Sequence, residues 1–401
     1  MSTDRPNIVF ILTDDQGWED LGCFGSSACF GRYPVKTPVL DKMASEGVRI
    51  TNFYAASPVC SPSRVGFMTG QYPARHGIDY ALHGHKAGDD AMGQAHFLDP
   101  KVPTITQVLK NAGYTTGHFG KWHMGGRHDQ QEMPGLPDIA DFGVDRSATG
   151  NDIFREGEVA ERHNSSTAIV NRSIEFLEAR DTSKPFYMNV WFNDPHGILD
   201  PTPEQMEEFN YLAAHKDDPN RNCGAMRVYY SVIADIDRQV GRLLDKLDEL
   251  GLADNTVVIF PSDNGPAPVW DPGTANSGSG RTGPFRGIKA SLYEGGVRMP
   301  FIMRWPGKTP QDRVDNESVV SATDLLPTFC RMAGVEPPAG LDGHDVTPVF
   351  EGASVEREQP VFWEYRFGSW GRHIQLSLRY AMRKGNWKLM MNADGTAFEL
   401  F

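Results

Sequence analysis

The chain reads as an α/β protein with a central, mostly parallel sheet flanked by helices. Three observations predict this. Short apolar runs rich in Val, Ile and Phe recur along the chain, helix-spaced apolar patterns lie between them, and several of the runs stop at polar residues with chemistry to offer. The buried strands are expected at 7–12, 49–54, 115–119, 186–192, 256–260 and 300–304. Helices are expected at 104–112, where Ile105, Val108 and Leu109 share a face before Gly113, at 165–180, and at 225–250, where a stripe from Tyr229 to Leu247 stops at Gly251. Gly and Pro concentrate in 124–150 and 264–287, which read as long loops over the sheet, where binding residues tend to sit. From about Gln359 the pattern turns to alternation, as in 380–391. This divides the chain into a large domain, 1–355, and a small antiparallel subdomain, 356–401, that is partial or reduced.

With 39 Lys and Arg against 52 Asp and Glu, the chain carries a net charge of −13. That balance repels nucleic acid, and no Lys/Arg block offers it a groove. Five cysteines (23, 29, 60, 223 and 330) lack metal-type spacing, which argues against a zinc site or a disulfide framework. Cys23 and Cys29 are close enough to pair but read as two unrelated thiols. The N-terminus lacks the pattern of a signal peptide and no apolar run reaches membrane-spanning length, so the chain as written reads as soluble and cytoplasmic. A trimmed signal would make it periplasmic or secreted.

The first expected strand ends in Asp14-Asp15, and the fifth runs into Asp263-Asn264. Adjacent carboxylates repel, so two of them after a buried strand ask for a cation. An all-oxygen set favours Ca²⁺, with Mg²⁺ second, over zinc. Lys121, His123 and His196 likewise follow strands, and the carboxyl ends of parallel strands are where ligands collect in an open α/β sheet. Cys60 would sit at a helix N-terminus, where an anion is favoured.

The run Cys60-Ser61-Pro62-Ser63-Arg64, with Thr69-Gly70 after it, resembles the signature of the type I sulfatases, in which a separate enzyme oxidises the cysteine to Cα-formylglycine. The resemblance extends, in the family's order, to Asp14-Asp15, Gly120-Lys121-Trp122-His123, Pro195-His196, Ser262-Asp263-Asn264-Gly265 and the stretch from Gly287 through Lys289 to Pro300. It implies the alkaline phosphatase-like fold and hydrolysis of a sulfate monoester, with a sulfated saccharide as the expected substrate. A formylglycine-generating or anaerobic sulfatase-maturing enzyme is the implied partner. By the same resemblance Asp14, Asp15, Asp263, Asn264 and the modified Cys60 bind calcium, and Arg64 positions the formylglycine. Lys121 and Lys289 hold the sulfate oxygens, His123 is the base of the release step, and His196 assists the leaving oxygen. The hydrated aldehyde has two hydroxyls: one attacks sulfur, and the other, deprotonated, expels sulfate, a step a plain Cys or Ser cannot perform.

The pattern also departs from the family. Gly197-Ile198 follows His196 where a proline two places on is common, which puts the neighbouring substrate subsite in doubt. His83, His85, Arg281 and Arg286 lie in loops near these blocks and are candidates for reading a sugar or a second anionic group. Two other readings stand beside the sulfatase one: a phosphate or phosphonate ester hydrolase of the same superfamily, which two metals with further His/Asp ligands would favour, and an inactive saccharide-binding homologue. Oligomeric state is not legible.

Overall fold

A computed structural model describes residues 5–28, 33–82, 93–126, 135–158, 160–213, 223–268, 276–366 and 377–401. An eight-stranded sheet runs in the order 313–315, 48–50, 301–304, 256–261, 7–12, 186–191, 115–120, 146–148. Asn7–Leu12 is parallel to both of its neighbours, and the strands on that side of it continue in parallel. Phe301–Arg304 is antiparallel both to Thr256–Pro261 and to Val48–Ile50.

Alternation along the central strands explains the three layers. In Asn7–Leu12 the side chains of Ile8, Phe10 and Leu12 enter one apolar cluster, while Val9 and Ile11 enter the other. Helices Cys60–Thr69, Ile105–Asn111 and Leu325–Ala333 cover the first face. Pro38–Ser45, Ser165–Glu178 and Cys223–Glu249 cover the second. A strand buried on both faces must be apolar throughout, which is why these strands read as continuous runs. Helix Ile105–Asn111 starts at a capping box: Gln107 N donates to Thr104 Oγ1 at 3.3 Å, and Thr104 N donates to Gln107 Oε1 at 3.0 Å.

The expected strand 49–54 is two strands. Val48–Ile50 belongs to the large sheet, whereas Phe53–Tyr54 pairs with Arg298–Met299 and Val320–Ser321 in a separate three-stranded sheet. The chain leaves the large sheet between them, and this carries it over the sheet's end toward Cys60. Residues 361–364, 380–384, 387–391 and 398–400 form a four-stranded antiparallel sheet. It docks through Trp363, whose Nε1 donates to the Ala55 carbonyl at 2.8 Å and whose ring meets that of Tyr54. Cys23, Cys60 and Cys330 are free thiols, in line with Cys23 not pairing; Cys223 is disulfide-bonded, which spacing did not reveal. No helix among the described residues is long and apolar enough to cross a membrane.

Candidate active site

Two central strands and their neighbours deliver the polar residues to one end of the sheet. Thr13 and Ser262 still pair as a bridge, so Asp14-Asp15 and Asp263-Asn264 leave adjacent strands side by side. Asp15 turns out of its strand with φ of 67°, a left-handed conformation uncommon outside glycine. Its N–H donates to Asp263 Oδ1 at 3.2 Å, and Asn264 Nδ2 donates to Asp15 Oδ1 at 2.7 Å. Ser262 Oγ accepts from Gln16 N and donates to the Asn264 carbonyl, clamping both turns.

Helix Cys60–Thr69 presents Cys60 and Arg64 from below, both buried. Arg64 Nε and Nη2 both donate to Asp263 Oδ2, at 3.0 and 2.8 Å. Nη1 donates to the Lys121 carbonyl, and Nη2 lies 3.8 Å from Asp14. The guanidinium rests on Trp191, 5.1 Å from the ring centroid, so its orientation is set from every side. Lys121 Nζ reaches Asp14 at 2.5 Å, while Lys289 Nζ donates to both oxygens of Asp15, at 2.6 and 2.8 Å, and stands 3.4 Å from Cys60 Sγ. His196 Nε2 lies 3.7 Å from Asp15, and its Nδ1 faces the Gly197 carbonyl at 2.8 Å. His123, at φ of 56°, places Nε2 2.9 Å from the Leu82 carbonyl; the Leu82 N–H donates to Ser61 Oγ beside Cys60.

Charge is concentrated and nearly balanced here. Burial pushes the Asp14 carboxyl up, but Lys121, His196, Arg64 and Lys289 together hold it well below the usual carboxylate range. Asp263 goes the other way, pushed up to about 7 by burial and by the Asp14 charge, against the pull of Arg64 and Lys121. Burial, with Asp14 and Asp263 beside it, drives the Cys60 thiol up to about 12 despite the two lysines. A thiol held there is no thiolate nucleophile.

Asp14, Asp15, Cys60 and His196 place ligand atoms within 4.8 Å of one another. Asp263 is not in this group: Arg64 holds its Oδ2 with two hydrogen bonds, while Oδ1, which accepts from the Asp15 amide, keeps a lone pair for an ion. His196 takes the fourth place in it. Asp14 Oδ1 and Asn264 Oδ1 are buried with no hydrogen-bond partner among the described residues, a costly state that a hard cation between them would relieve. The donor set therefore fits a divalent ion.

The sulfatase family model matches residues 6–335, and the model of the C-terminal region of N-sulphoglucosamine sulphohydrolase matches 286–401. The chain belongs to the sulfatase family. Its activity is hydrolysis of sulfate esters, and the family implies a metal and an oxidised cysteine. N-acetylgalactosamine-6-sulfatase of Canis lupus familiaris is 31% identical over 386 residues, which cover 89% of this chain and 68% of that protein. Among solved structures, Ps i-CgsB in complex with k-i-k-neocarrahexaose aligns with a TM-score of 0.78 and 26% identity, over 99% of this chain and 86% of that one. Phosphonate monoester hydrolase of Agrobacterium radiobacter, at 20% identity and a TM-score of 0.70 over 99% and 89% of the chains, shares the fold alone.

Of the loop residues considered for substrate reading in this sulfatase, His83 and His85 lie outside the described residues. Arg281 is turned to Glu19, its Nε donating to Oε2 at 2.9 Å, and Arg286 pairs with Glu399 at 3.2 Å. Sequence reasoning missed Ser63, whose hydroxyl donates to the Asp263 carbonyl at 2.5 Å, Trp191 under Arg64, and Arg162. Arg162 Nη2 donates to the carbonyls of Asn193 and His196, at 2.8 and 2.7 Å, and pairs with Asp194, which fixes the His196 turn. Trp191 lies next to the end of the expected strand 186–192 and could have been flagged; Arg162 sits in a polar loop with no signal.

Proposed function

We propose that this sulfatase cleaves a sulfate monoester on a carbohydrate, with Cys60 in its oxidised form as nucleophile and calcium, ahead of magnesium, as the ion. The single observation that carries the reading is the pairing of a buried, unreactive Cys60 thiol with Lys289 at 3.4 Å, in a pocket also framed by Lys121 and Arg64. In the structure Sγ stands where an oxygen of the hydrated aldehyde would be. A hydroxyl there supplies the nucleophile, and its twin provides the route for sulfate release. The ion would be held by Asp14, Asp15, Asp263, Asn264 and the oxidised residue 60, and would supply positive charge to the sulfate oxygens.

The chain's own residues do the rest. Lys121 and Lys289 sit on opposite carboxylates of the Asp14-Asp15 pair, which keeps both ammonium groups charged and aimed at one point. Burial would lower their proton affinity, but the facing carboxylates raise it above the ordinary lysine value. Arg64, fixed by Asp263 and Trp191, orients residue 60 and stabilises its hydroxyl. His123 is joined to Ser61 through Leu82, and it takes the proton of the release step. Burial and Lys289 lower the proton affinity of His196 while Asp15 and Asp14 raise it; in its protonated form Nδ1 stays on the Gly197 carbonyl and Nε2 has a proton to give to the leaving oxygen. We take 1–355 as the catalytic domain and 356–401 as its appended subdomain, and a formylglycine-generating or anaerobic sulfatase-maturing enzyme as the partner that prepares residue 60.

The carbohydrate assignment draws support from N-acetylgalactosamine-6-sulfatase and from the neocarrahexaose complex. The test is the mass of the tryptic peptide holding residue 60, from protein made with the maturing enzyme, followed by a screen of sulfated mono- and oligosaccharides. Conversion to the aldehyde with turnover of a sulfated sugar is expected, and Cys60→Ala should abolish turnover while keeping the fold. A persistent thiol with no turnover of any sulfate ester overturns the nucleophile. Turnover confined to non-carbohydrate sulfates overturns the substrate class.

A further inference from the structure

A cavity of about 300 Å³ lies between residues 284–286, the start of helix Glu294–Val297 and the C-terminal four-stranded sheet. Arg286, Arg298, Arg383 and Lys388 line it, against one lining carboxylate, Glu294, while Glu399 pairs with Arg286 at 3.2 Å from outside the lining. None of the residues assigned above to the ester site lines it.

Glu294 is shared among three cations. Lys388 Nζ donates to its Oε1 at 2.9 Å, Arg298 Nη1 donates to its Oε2 at 3.3 Å, and Arg383 Nη1 stands 3.9 Å off; Tyr54 Oη also donates to Oε2, at 2.6 Å. The Lys388 side chain is only 6% exposed, Arg383 11% and Arg298 17%. Burial pulls all three below their ordinary values, and the single carboxylate does not restore them. In a chain with 52 acidic residues this is a costly arrangement, because a buried cation without its own counter-charge is destabilising. An anion entering the cavity supplies what the fold withholds. Arg286 on the rim lies 3.8 Å from the Tyr293 ring centroid, and Phe285, Tyr293 and Phe401 give the cavity an apolar wall. The segment 286–298 runs past Lys289 at the ester site and on to this cavity, so one stretch of chain joins the two.

We propose that this cavity is a second anion site, receiving a sulfate or carboxylate group further along the saccharide whose scissile ester sits at residue 60; the saccharide part rests on the function proposed above. A cationic cavity in an acidic protein is a local exception to its long-range field, and it selects a ligand with a second charge at fixed spacing. The ligand class is thus a saccharide with two or more anionic groups.

Equilibrium dialysis with inorganic sulfate at low ionic strength tests the site, and a disulfated disaccharide compared with its monosulfated counterpart tests the source of the anion. The parent should bind two sulfates per chain. Arg383→Gln should weaken one of them about tenfold, the loss of one charge-assisted contact, while Arg383→Lys keeps it. Arg383 makes no hydrogen bond to Glu294; its Nε donates to the Gly385 carbonyl at 3.1 Å and its guanidinium lies 4.9 Å from the Tyr54 ring centroid, so thermal melting of Arg383→Gln beside Arg383→Lys separates loss of these contacts from loss of the anion. The kcat/KM preference for the disulfated sugar should fall about tenfold in Arg383→Gln. One sulfate per chain in the parent, or two of unchanged affinity in Arg383→Gln, overturns the site. Loss of the second sulfate without any change in that preference overturns the saccharide assignment. Absence of turnover on every sulfate ester would strike the proposed function and leave the dialysis count standing.

Discussion

Replacing Lys289 by Met removes one full charge from the ester site while keeping most of the side chain's volume. In the structure that ammonium donates to both oxygens of Asp15 and lies 3.4 Å from Cys60 Sγ, where it faces any charge developing on a sulfate bound to residue 60. Removing one preorganised donor to a developing charge costs roughly 10²–10³ in kcat, and Lys289→Met should fall in that range. Breaking a buried ion pair costs about 3–5 kcal/mol of stability. The lower end applies here, because Asp15 retains the Asn264 amide at 2.7 Å. Saturating calcium should recover part of the loss, since a bound cation replaces the missing counter-charge for Asp15. The assay is kcat/KM on a small aryl sulfate with matched formylglycine content, alongside melts with and without calcium; Lys289→Arg serves as the charge-keeping control. A Lys289→Met protein that folds and turns over within threefold of the parent would refute the placement of this lysine in the anion pocket.

Ion uptake should be linked to a proton. With Asp263 pushed up to about 7, its folded proton affinity exceeds the unfolded one, so ion binding below that pH displaces a proton and weakens as pH falls. Calorimetry in buffers of differing ionisation enthalpy should show proton release at pH 6 and affinity about tenfold below that at pH 8; a flat profile refutes the linkage. His196→Ala should cost alkyl sulfates about 10²-fold and aryl sulfates far less, because a poor leaving group needs the proton. Equal losses on both would remove His196 from that role. Arg64→Lys keeps charge but loses the fork on Asp263, and about 10²-fold in kcat should go with it; unaltered kcat rejects the positioning argument. Gly120→Ala adds a Cβ that meets the Trp191 carbonyl at a φ of 103°, and should destabilise by about 3 kcal/mol in denaturant melts.

The strands that end at the site were legible because burial on both faces leaves an uninterrupted apolar signature, and their terminal residues stand out against it. Asp14-Asp15 and Asp263-Asn264 were read this way, and they do emerge from neighbouring strands. The break after Ile50 was not legible. Thr51 and Asn52 are compatible with a continuing strand, and what separates Val48–Ile50 from Phe53–Tyr54 is the choice of partners 301–304 and 298–299, which lie far along the chain. The engagement of Asp263 with Arg64 was equally hidden, since a carboxylate's spacing does not say whether it faces an ion or a guanidinium. Arg162 acts through backbone carbonyls, and no local pattern records that.

The placement of Cys60 also sets an order of events in the life of the chain. Cys60 is 2% exposed, and helix Cys60–Thr69 is buried along its whole length under the large sheet. A maturing enzyme acting on a Cys-x-Pro-Ser-Arg segment would need that stretch unwound and accessible, a state the folded protein does not offer. On the function proposed above, chemical conversion and folding would compete for the same residues during synthesis. The share of active molecules would then follow which of the two is faster, and a variant that folds more quickly would yield a better-packed but less fully converted enzyme.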